Sequence, residues 1–487
     1  MSTSTLSKSD RAGGRPEAGA SVAPSAAPSA GGTLVITDPR DGSPVGAVAI
    51  ATDEQVGAAL ERAAGAFPDW RRVSPAERGL ALREAGRLLA EHAEELAALN
   101  ERETGKPYDQ ALGGVHAGAD TLLQYSELAP VHRGKSLRGA ATAMDYTVDQ
   151  PRGVVVVLTP WNDPVAVAAG LIGAAVATGN TVVHKPSERC PHLGARLGEI
   201  LAAALPAGVL TTVQGDGAVG AALVAGEGVA AVAHVGSSEA GRHIAEAGAA
   251  RGVHVIRENG GNDALIVDAG VDPAWAAAQA ALGAFANSGQ ICTAVERVFV
   301  HRDVAEAFTE HLAAEARRWN ETGALGPLVD ERMRLAVHAQ VAQALEAGAR
   351  ALVGGAVPDG PGAHYPATVL VDCDPGMDIL QEETFGPVAP VVVVDSFDDA
   401  LRLAADDRYG LAATVLTPSI EHAARAADEL PVGTVKVNAV FGGAPGGAAQ
   451  PRGDSGSGFG YGPELLDEMT LTKVVHVEPL PPRVAAS

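Results

Sequence analysis

Val154-Val155-Val156-Val157-Leu158 is a run with no polar side chain in it. Successive side chains of a strand point to opposite faces, so this segment is a strand only where both faces are covered. The chain downstream keeps the pattern. The spacing predicts a helix of small residues from about Pro164 to Thr178 and a strand at Thr181-Val182-Val183-His184-Lys185. A second helix is expected from Pro191 to Ala204, with further strands at 209–213, 229–235 and 253–256. Alternation of this kind implies α/β architecture with a parallel, doubly wound sheet. Ligands of such sheets bind beyond the carboxyl ends of the strands. The loops at Pro160, Lys185 and Gly236 should therefore share one crevice. A second α/β block is read over 261–463, with strands expected at Val295–Val300, Ala389–Val394, Ala412–Leu416 and Thr434–Val437. Upstream, Glu54–Phe67 and Ala76–Arg102 carry the apolar period of helices, closed by Thr104-Gly105-Lys106-Pro107. Leu471–Val477 is a short β-like stretch, free to pair within the chain or with another subunit.

The bulk properties exclude several functions. At 487 residues the chain is too long for one core, so two or three domains are expected. A formal charge of −23 disfavours nucleic acid and anionic membrane surfaces, both of which need clustered Lys and Arg. No run reaches the eighteen apolar residues of a membrane helix. The first 32 residues, mostly Ser, Ala, Gly, Pro and Thr, read as a disordered tail and lack the apolar region of a secretory signal. Three cysteines make no disulfide framework, and a reducing cytoplasm is the expected compartment.

One of those cysteines, Cys292, follows Asn287-Ser288-Gly289-Gln290-Ile291, and Glu258 precedes Gly260-Gly261. A thiol that can ionise and a carboxylate that can activate water suffice for covalent acyl chemistry. Each residue alone has a plainer explanation. A single buried Cys is usually packing. Glu258 would be a solvated strand end, Asn162 a helix N-cap, and Lys185 with Glu188 a surface ion pair worth ~0–1 kcal/mol.

The set is more specific than its members. Thr159-Pro160-Trp161-Asn162-Asp163-Pro164, Lys185-Pro186-Ser187-Glu188, Gly236-Ser237-Ser238-Glu239-Ala240-Gly241 and Glu383-Thr384-Phe385-Gly386-Pro387 join Cys292 and Glu258 in a fixed order. With them the chain resembles the aldehyde dehydrogenase superfamily over roughly residues 33–477. The resemblance implies a Rossmann-type cofactor domain (33–129 and 151–260) and a second α/β catalytic domain (261–463). It also implies a small β oligomerisation element (130–150 and 464–487) and a homodimer or homotetramer. It implies that Cys292 attacks a small-molecule aldehyde to give a thiohemiacetal, that hydride leaves for the cofactor, and that the thioester is hydrolysed. Glu258 would be the general base, and Asn162 would share the oxyanion with the backbone N–H of Cys292.

For the cofactor the resemblance implies Pro160 and Trp161 as contacts, Lys185 and Glu188 at the adenosine ribose, and Gly236, Ser237, Ser238 and Gly241 at the phosphates. Glu383 and Phe385 would hold the nicotinamide ribose. A carboxylate at 188 repels a 2′-phosphate and favours NAD over NADP. Gly215-Asp216-Gly217-Ala218-Val219-Gly220 also matches a dinucleotide-binding pattern, but is expected only as a secondary contact through Gly215, near the adenine.

Several positions depart from the family. Asp163, Gly170 and Arg452 stand where aromatics of the substrate tunnel are usual, and Leu171 and Asn262 where lysines are common. With Thr293 beside the nucleophile, Asp163, Gly170 and Arg452 are the candidate substrate residues. They suggest a small polar aldehyde or a semialdehyde whose carboxylate Arg452 grips. In the rival arrangement Asp163 and Arg452 pair with each other and select nothing. The alternatives in function are a CoA-acylating dehydrogenase, against which Glu258 argues, and an inactive binding protein of the same fold.

Overall fold

The structure is a computed structural model that describes residues 32–442 and 447–480. The tail expected over 1–32 lies outside the described residues except for Gly32.

The uninterrupted Val154–Leu158 run is a strand at the inside of a six-stranded sheet, flanked by Thr181–Lys185 on one side and Val229–Val235 on the other. Leu210–Thr212 lies beyond Thr181–Lys185, and His254–Glu258 beyond Val229–Val235. These five strands are parallel, and the two-residue strand Gly456–Ser457 closes the edge antiparallel to Arg257 and Glu258. Both faces of the central strand are covered. Val155 and Val157 pack against the Pro164–Ala177 helix, whose Ala168, Leu171 and Ile172 are in the same core. Val154, Val156 and Leu158 face Val56, Leu60 and Leu223 on the other side. Helix Pro164–Ala177 is itself enclosed nearly all round, which its Ala and Gly content permits at close range.

The second sheet has seven strands in the order Arg350–Val353, Thr368–Val371, Val388–Val394, Val295–His301, Asp263–Val267, Ala412–Leu416, Thr434–Val437. Only Arg350–Val353 is antiparallel. Asp263–Val267, Thr368–Val371 and Arg350–Val353 were not expected from sequence. The first two are buried throughout. They are four- and five-residue segments, too short for periodicity to separate them from other apolar runs. Asp263–Val267 matters most, because it begins five residues after Glu258. The chain thus passes from the strand next to the edge of one sheet through 259–262 into an inner strand of the other.

The remaining expectations sharpen. The Ala76–Arg102 region is two helices, Pro75–Glu91 and Ala93–Thr104, broken at His92 (φ −100°, ψ 15°). Gly105 ends the second helix in a left-handed conformation (φ 74°), where glycine carries no Cβ penalty. Thr470–Val477 pairs antiparallel with Met144–Pro151 of its own chain over eight residues, and Ser136–Leu137 adds a third strand. Among the described residues no helix is long and apolar enough to cross a membrane.

Candidate active site

The parallel register sets the carboxyl ends of the first sheet side by side. Leu158 pairs with Lys185 and His234, and Val235 with Glu258. The loops after these residues carry Pro160–Asp163, Pro186–Glu188, Gly236–Ser238 and Asn259–Asn262. They lie side by side, and two hydrogen bonds tie them to the second sheet's segments, Asn162 Nδ2 to Gln290 O and Gly261 N–H to Glu383 Oε1.

Cys292 is presented by a tight turn between helix Pro273–Phe285 and strand Val295–His301. Asn287 (φ 48°), Ser288 (φ 55°) and Gly289 (φ 74°) are all left-handed. Left-handed backbone disfavours L side chains by roughly 1–2 kcal/mol each, least for small polar ones, so the turn needs fixing. Ser288 Oγ donates to Gly326 O (2.7 Å), and Gln290 Nε2 donates to Asn287 O (3.1 Å) and Pro327 O (3.3 Å). Val329 N–H donates to Gln290 Oε1 (2.9 Å). Gly289 is obligatory on space as well, since a Cβ there would lie 2.0 Å from Gly386 O. That approach lays the cysteine turn directly on the Glu383–Pro387 segment. Burial and the carboxylates of Glu258, Asp263, Glu383 and Asp163 push the Cys292 thiol up to about 12. Cys190 and Cys373 are buried, and no disulfide links the three.

Glu258 ends its strand with its carboxylate against the C-terminal loop. Oε1 accepts the Gly460 N–H (3.1 Å). Burial pushes this carboxyl up to about 7, and that one backbone donor acts against the rise. Asn162 reaches the cysteine loop: its Nδ2 donates to Gln290 O (3.1 Å), two residues before Cys292. It is not the helix cap. Asp163 occupies the N-cap of Pro164–Ala177 and caps nothing with its side chain, because Oδ1 is taken by Lys106 Nζ (3.2 Å). The same ammonium donates to Asn162 O (3.1 Å).

The residues expected around a dinucleotide stand on these loops and on the Glu383–Pro387 segment beside them. Lys185 is buried and spends its ammonium on Pro186 O (2.9 Å) and Gly215 O (2.8 Å), with Glu188 3.8 Å away and more exposed. Asp216 caps the Gly217–Val224 helix through Ala218 N–H (3.0 Å) and Val219 N–H (3.4 Å). The glycine-rich pattern thus opens a helix whose positive end already holds a carboxylate. The Ser238–Ala249 helix differs: Ser237 takes only the Ala240 N–H (3.3 Å), and the Ser238 hydroxyl is buried with no partner among the described residues. An orphaned hydroxyl at a helix N-terminus fits a phosphate. Gly241 lets this helix close on Asn259, whose Oδ1 would lie 2.2 Å from a Cβ. Glu383 Oε1 accepts Gly261 N–H (3.0 Å), and burial pushes its carboxyl up to about 7. Phe385 meets Trp161 edge-on (5.6 Å between centroids), and Arg189 lies over the Trp161 ring at 5.3 Å.

The pairing of Asp163 with Arg452 does not form. Asp163 pairs with Lys106, while Arg452 is exposed in a two-residue strand antiparallel to Tyr409–Gly410. At Gly170 a Cβ would lie 3.9 Å from Tyr461 Cδ2, so the ring of Tyr461 borders the space an aromatic at 170 would claim. Leu171 is simply buried among apolar neighbours, and Asn262 is structural, donating to Leu380 O (3.2 Å). Thr293 is half-buried beside Cys292. Sequence reasoning missed Lys106, Gln290 and Gly460. Lys106 sits in a segment that reads as helix punctuation, and Gly460 in the run Gly458-Phe459-Gly460-Tyr461-Gly462, which carries no functional signal without the fold.

Comparison with known proteins decides the family. Residues 27–475 match the aldehyde dehydrogenase family model. The chain belongs to the aldehyde dehydrogenase family. It is 37% identical to α-ketoglutarate semialdehyde dehydrogenase of Haloferax volcanii, covering 84% of this chain and 87% of that one. It is 34% identical to the NAD+ benzaldehyde dehydrogenase of Pseudomonas putida, covering 91% and 93%. The crystal structure of an NAD-dependent aldehyde dehydrogenase from Sinorhizobium meliloti superposes with a TM-score of 0.89 at 31% identity, covering 93% of each chain. The protein is an aldehyde dehydrogenase: it oxidises an aldehyde to the carboxylic acid.

Proposed function

We propose that Cys292 is the nucleophile, Glu258 the general base and Asn162 the side-chain oxyanion donor. The observation that carries this reading is the Asn162–Gln290 hydrogen bond, which draws the amide from the first sheet to the residue two before the thiol. Cys292 sulfur adds to the aldehyde carbon while a proton leaves the thiol. The developing alkoxide takes hydrogen bonds from Asn162 Nδ2 and the Cys292 N–H, and donors of this kind are worth ~10²–10³ in turnover. Asn162 Nδ2 must turn from Gln290 O toward the substrate to do so, and Lys106 holds its backbone meanwhile. NAD, when bound, accepts the hydride. The acyl group is left on sulfur, Glu258 takes a proton from water, and hydroxide released onto the thioester carbon expels the thiolate as the acid forms. A Glu258→Gln variant should still release a burst of NADH and then stall. Cys292→Ala should release none, and full turnover by that variant would end the reading.

Gly236, Ser237, Ser238 and Gly241 suit the phosphates, with Gly215 beside Lys185 toward the adenine. Pro160 and Trp161 suit the wall of the cofactor site, where Phe385 meets the Trp161 ring edge-on, and Glu383 suits the nicotinamide ribose. The preference for NAD over NADP follows from Lys185, whose charge is turned inward onto two carbonyls while the Glu188 carboxylate faces out. For the substrate, Asp163 with Lys106, Gly170 with Tyr461, and Thr293 support a small polar aldehyde. Arg452, exposed and not paired with Asp163, keeps its guanidinium for the carboxylate of a semialdehyde. The first sheet with its helices and the second sheet with its own act as cofactor and catalytic domains. The exposed apolar side chains Met144, Tyr146, Leu471 and Val474 on the third sheet support a closed homo-oligomer built there. Free cysteines fit a reducing, cytoplasmic setting.

A further inference from the structure

Glu296 stands four residues after Cys292 and is only 2% exposed. A carboxylate enclosed in this way is costly unless its oxygens are matched. Among the described residues no cation lies at ion-pair distance from it. Its partners are two successive backbone N–H groups: Thr384 donates to Oε2 (3.1 Å) and Phe385 to Oε1 (3.0 Å). Phe385 is left-handed (φ 53°), a conformation a bulky residue rarely adopts. A left-handed residue can aim adjacent N–H groups into one concavity that suits an acceptor of negative charge, and here the chain's own Glu296 carboxyl fills it; burial and the nearby Glu383 carboxylate push that carboxyl up to about 8, and the two N–H groups act against the rise.

The same turn is gripped from the other side. Thr384 Oγ1 donates to Gln340 Oε1 (2.9 Å), and Gln340 Nε2 donates to Glu383 O (3.2 Å). It is also pressed by the cysteine turn, where Gly289 meets Gly386 O. Two of its residues meet the first sheet's loops, Glu383 at Gly261 N–H and Phe385 at Trp161.

We propose that Glu296 is a positioning residue of the reaction. By filling the concavity at Thr384–Phe385 it locks the Glu383–Phe385 turn to the strand that carries the nucleophile. The nicotinamide end of the cofactor site and Cys292 then keep one register. The inference rests on the assignment of Glu383 and Phe385 to the cofactor. A merely space-filling Glu296 would affect stability and leave cofactor affinity alone.

The test is Glu296→Gln, which keeps the volume but turns an amide N–H toward one of the two backbone donors. KM for NAD should rise roughly tenfold, about 1.4 kcal/mol, while KM for the aldehyde and turnover at saturating NAD change less than about threefold. An unchanged KM for NAD overturns the proposal, whatever happens to the melting temperature. If Glu296→Gln does not fold, Gln340→Leu releases the same turn from its half-buried side, and an unchanged KM for NAD in that variant overturns the proposal equally. Glu383→Gln separates the two layers. If it too leaves NAD binding untouched, the assignment of Glu383 is what has failed. If it weakens NAD and Glu296→Gln does not, only the clamp has.

Discussion

Gly460 should be the most informative small substitution in the chain. Its N–H holds Glu258, and a Cβ built on it would lie 2.0 Å from Glu258 Cγ and 2.6 Å from Oε1. Its φ is not in the left-handed region, so alanine meets no backbone obstacle. The three nearest atoms all belong to one side chain, and that side chain is a flexible carboxylate. Gly460→Ala should therefore displace Glu258 and leave the fold in place. A mispositioned general base removes ~10²–10⁴ in rate from the step it serves, and a hundredfold loss is about 2.7 kcal/mol. The step served is thioester hydrolysis, so sulfur addition and hydride loss should survive. Rapid mixing with aldehyde and NAD should give a burst approaching one NADH per active site, followed by a steady state at least a hundredfold slower than the parent. A steady-state rate within threefold of the parent would refute the reasoning, because Glu258 would then work from a position that does not depend on the 460 backbone.

Other consequences are as direct. Because burial sets the Glu258 carboxyl at about 7, and the base acts only when ionised, turnover should climb as pH rises through 7, with about a tenth of the plateau rate at pH 6. Glu258→Gln should flatten that limb in steady-state pH profiles. Asn162→Ala should lower kcat by roughly 10²–10³ with little change in aldehyde KM, read by initial-rate kinetics. Arg297 and Asp407 form a buried ion pair (2.7 Å, side chains 4% and 7% exposed), and Arg297 also donates to Asn262 O (2.8 Å). Arg297→Met strands a buried carboxylate and should cost about 3–5 kcal/mol in urea denaturation; a loss under 1 kcal/mol would show that Asp407 finds another partner.

How much of this was legible depends on the range over which each contact acts. The Val154–Leu158 run specified a doubly covered strand because burial on both faces leaves no polar position, and the alternating cores on either side of it are that same statement in space. Cys292, Glu258, Asn162 and the Gly236 segment stood out only as a set, because their fixed order along the chain resembles a family's, while each alone had a plainer explanation. Lys106 was not. Its two acceptors, Asn162 O and Asp163 Oδ1, lie 56 and 57 residues away, and nothing local to Thr104-Gly105-Lys106-Pro107 points to them. Gly460 and Glu296 fail for the same reason, since their partners come from 202 and 88 residues away. The Asp163–Arg452 pairing failed because a sequence offers opposite charges without saying which of them meet.

On the proposed assignment Glu258 acts on Cys292 in two opposed ways, and one substitution can show both. The thiol faces the carboxylates of Glu258, Asp263, Glu383 and Asp163, while Lys436, itself pulled down by burial, is a cation that feels it in return. With the thiol up at about 12 and Glu258 at about 7, Glu258 is charged throughout the range in which the thiol ionises. Its charge then suppresses the resting thiolate, and a like charge at close range moves a pKa by on the order of one unit. Glu258→Gln removes that charge without changing the volume. Iodoacetamide alkylation of Cys292, whose rate follows the thiolate fraction, should become several-fold faster at pH 8, whereas steady-state aldehyde oxidation should fall by ~10²–10⁴. The two readouts must move in opposite directions. If alkylation slows together with turnover, the carboxylate is instead drawing the proton off the resting thiol, and the thiolate forms before the aldehyde arrives.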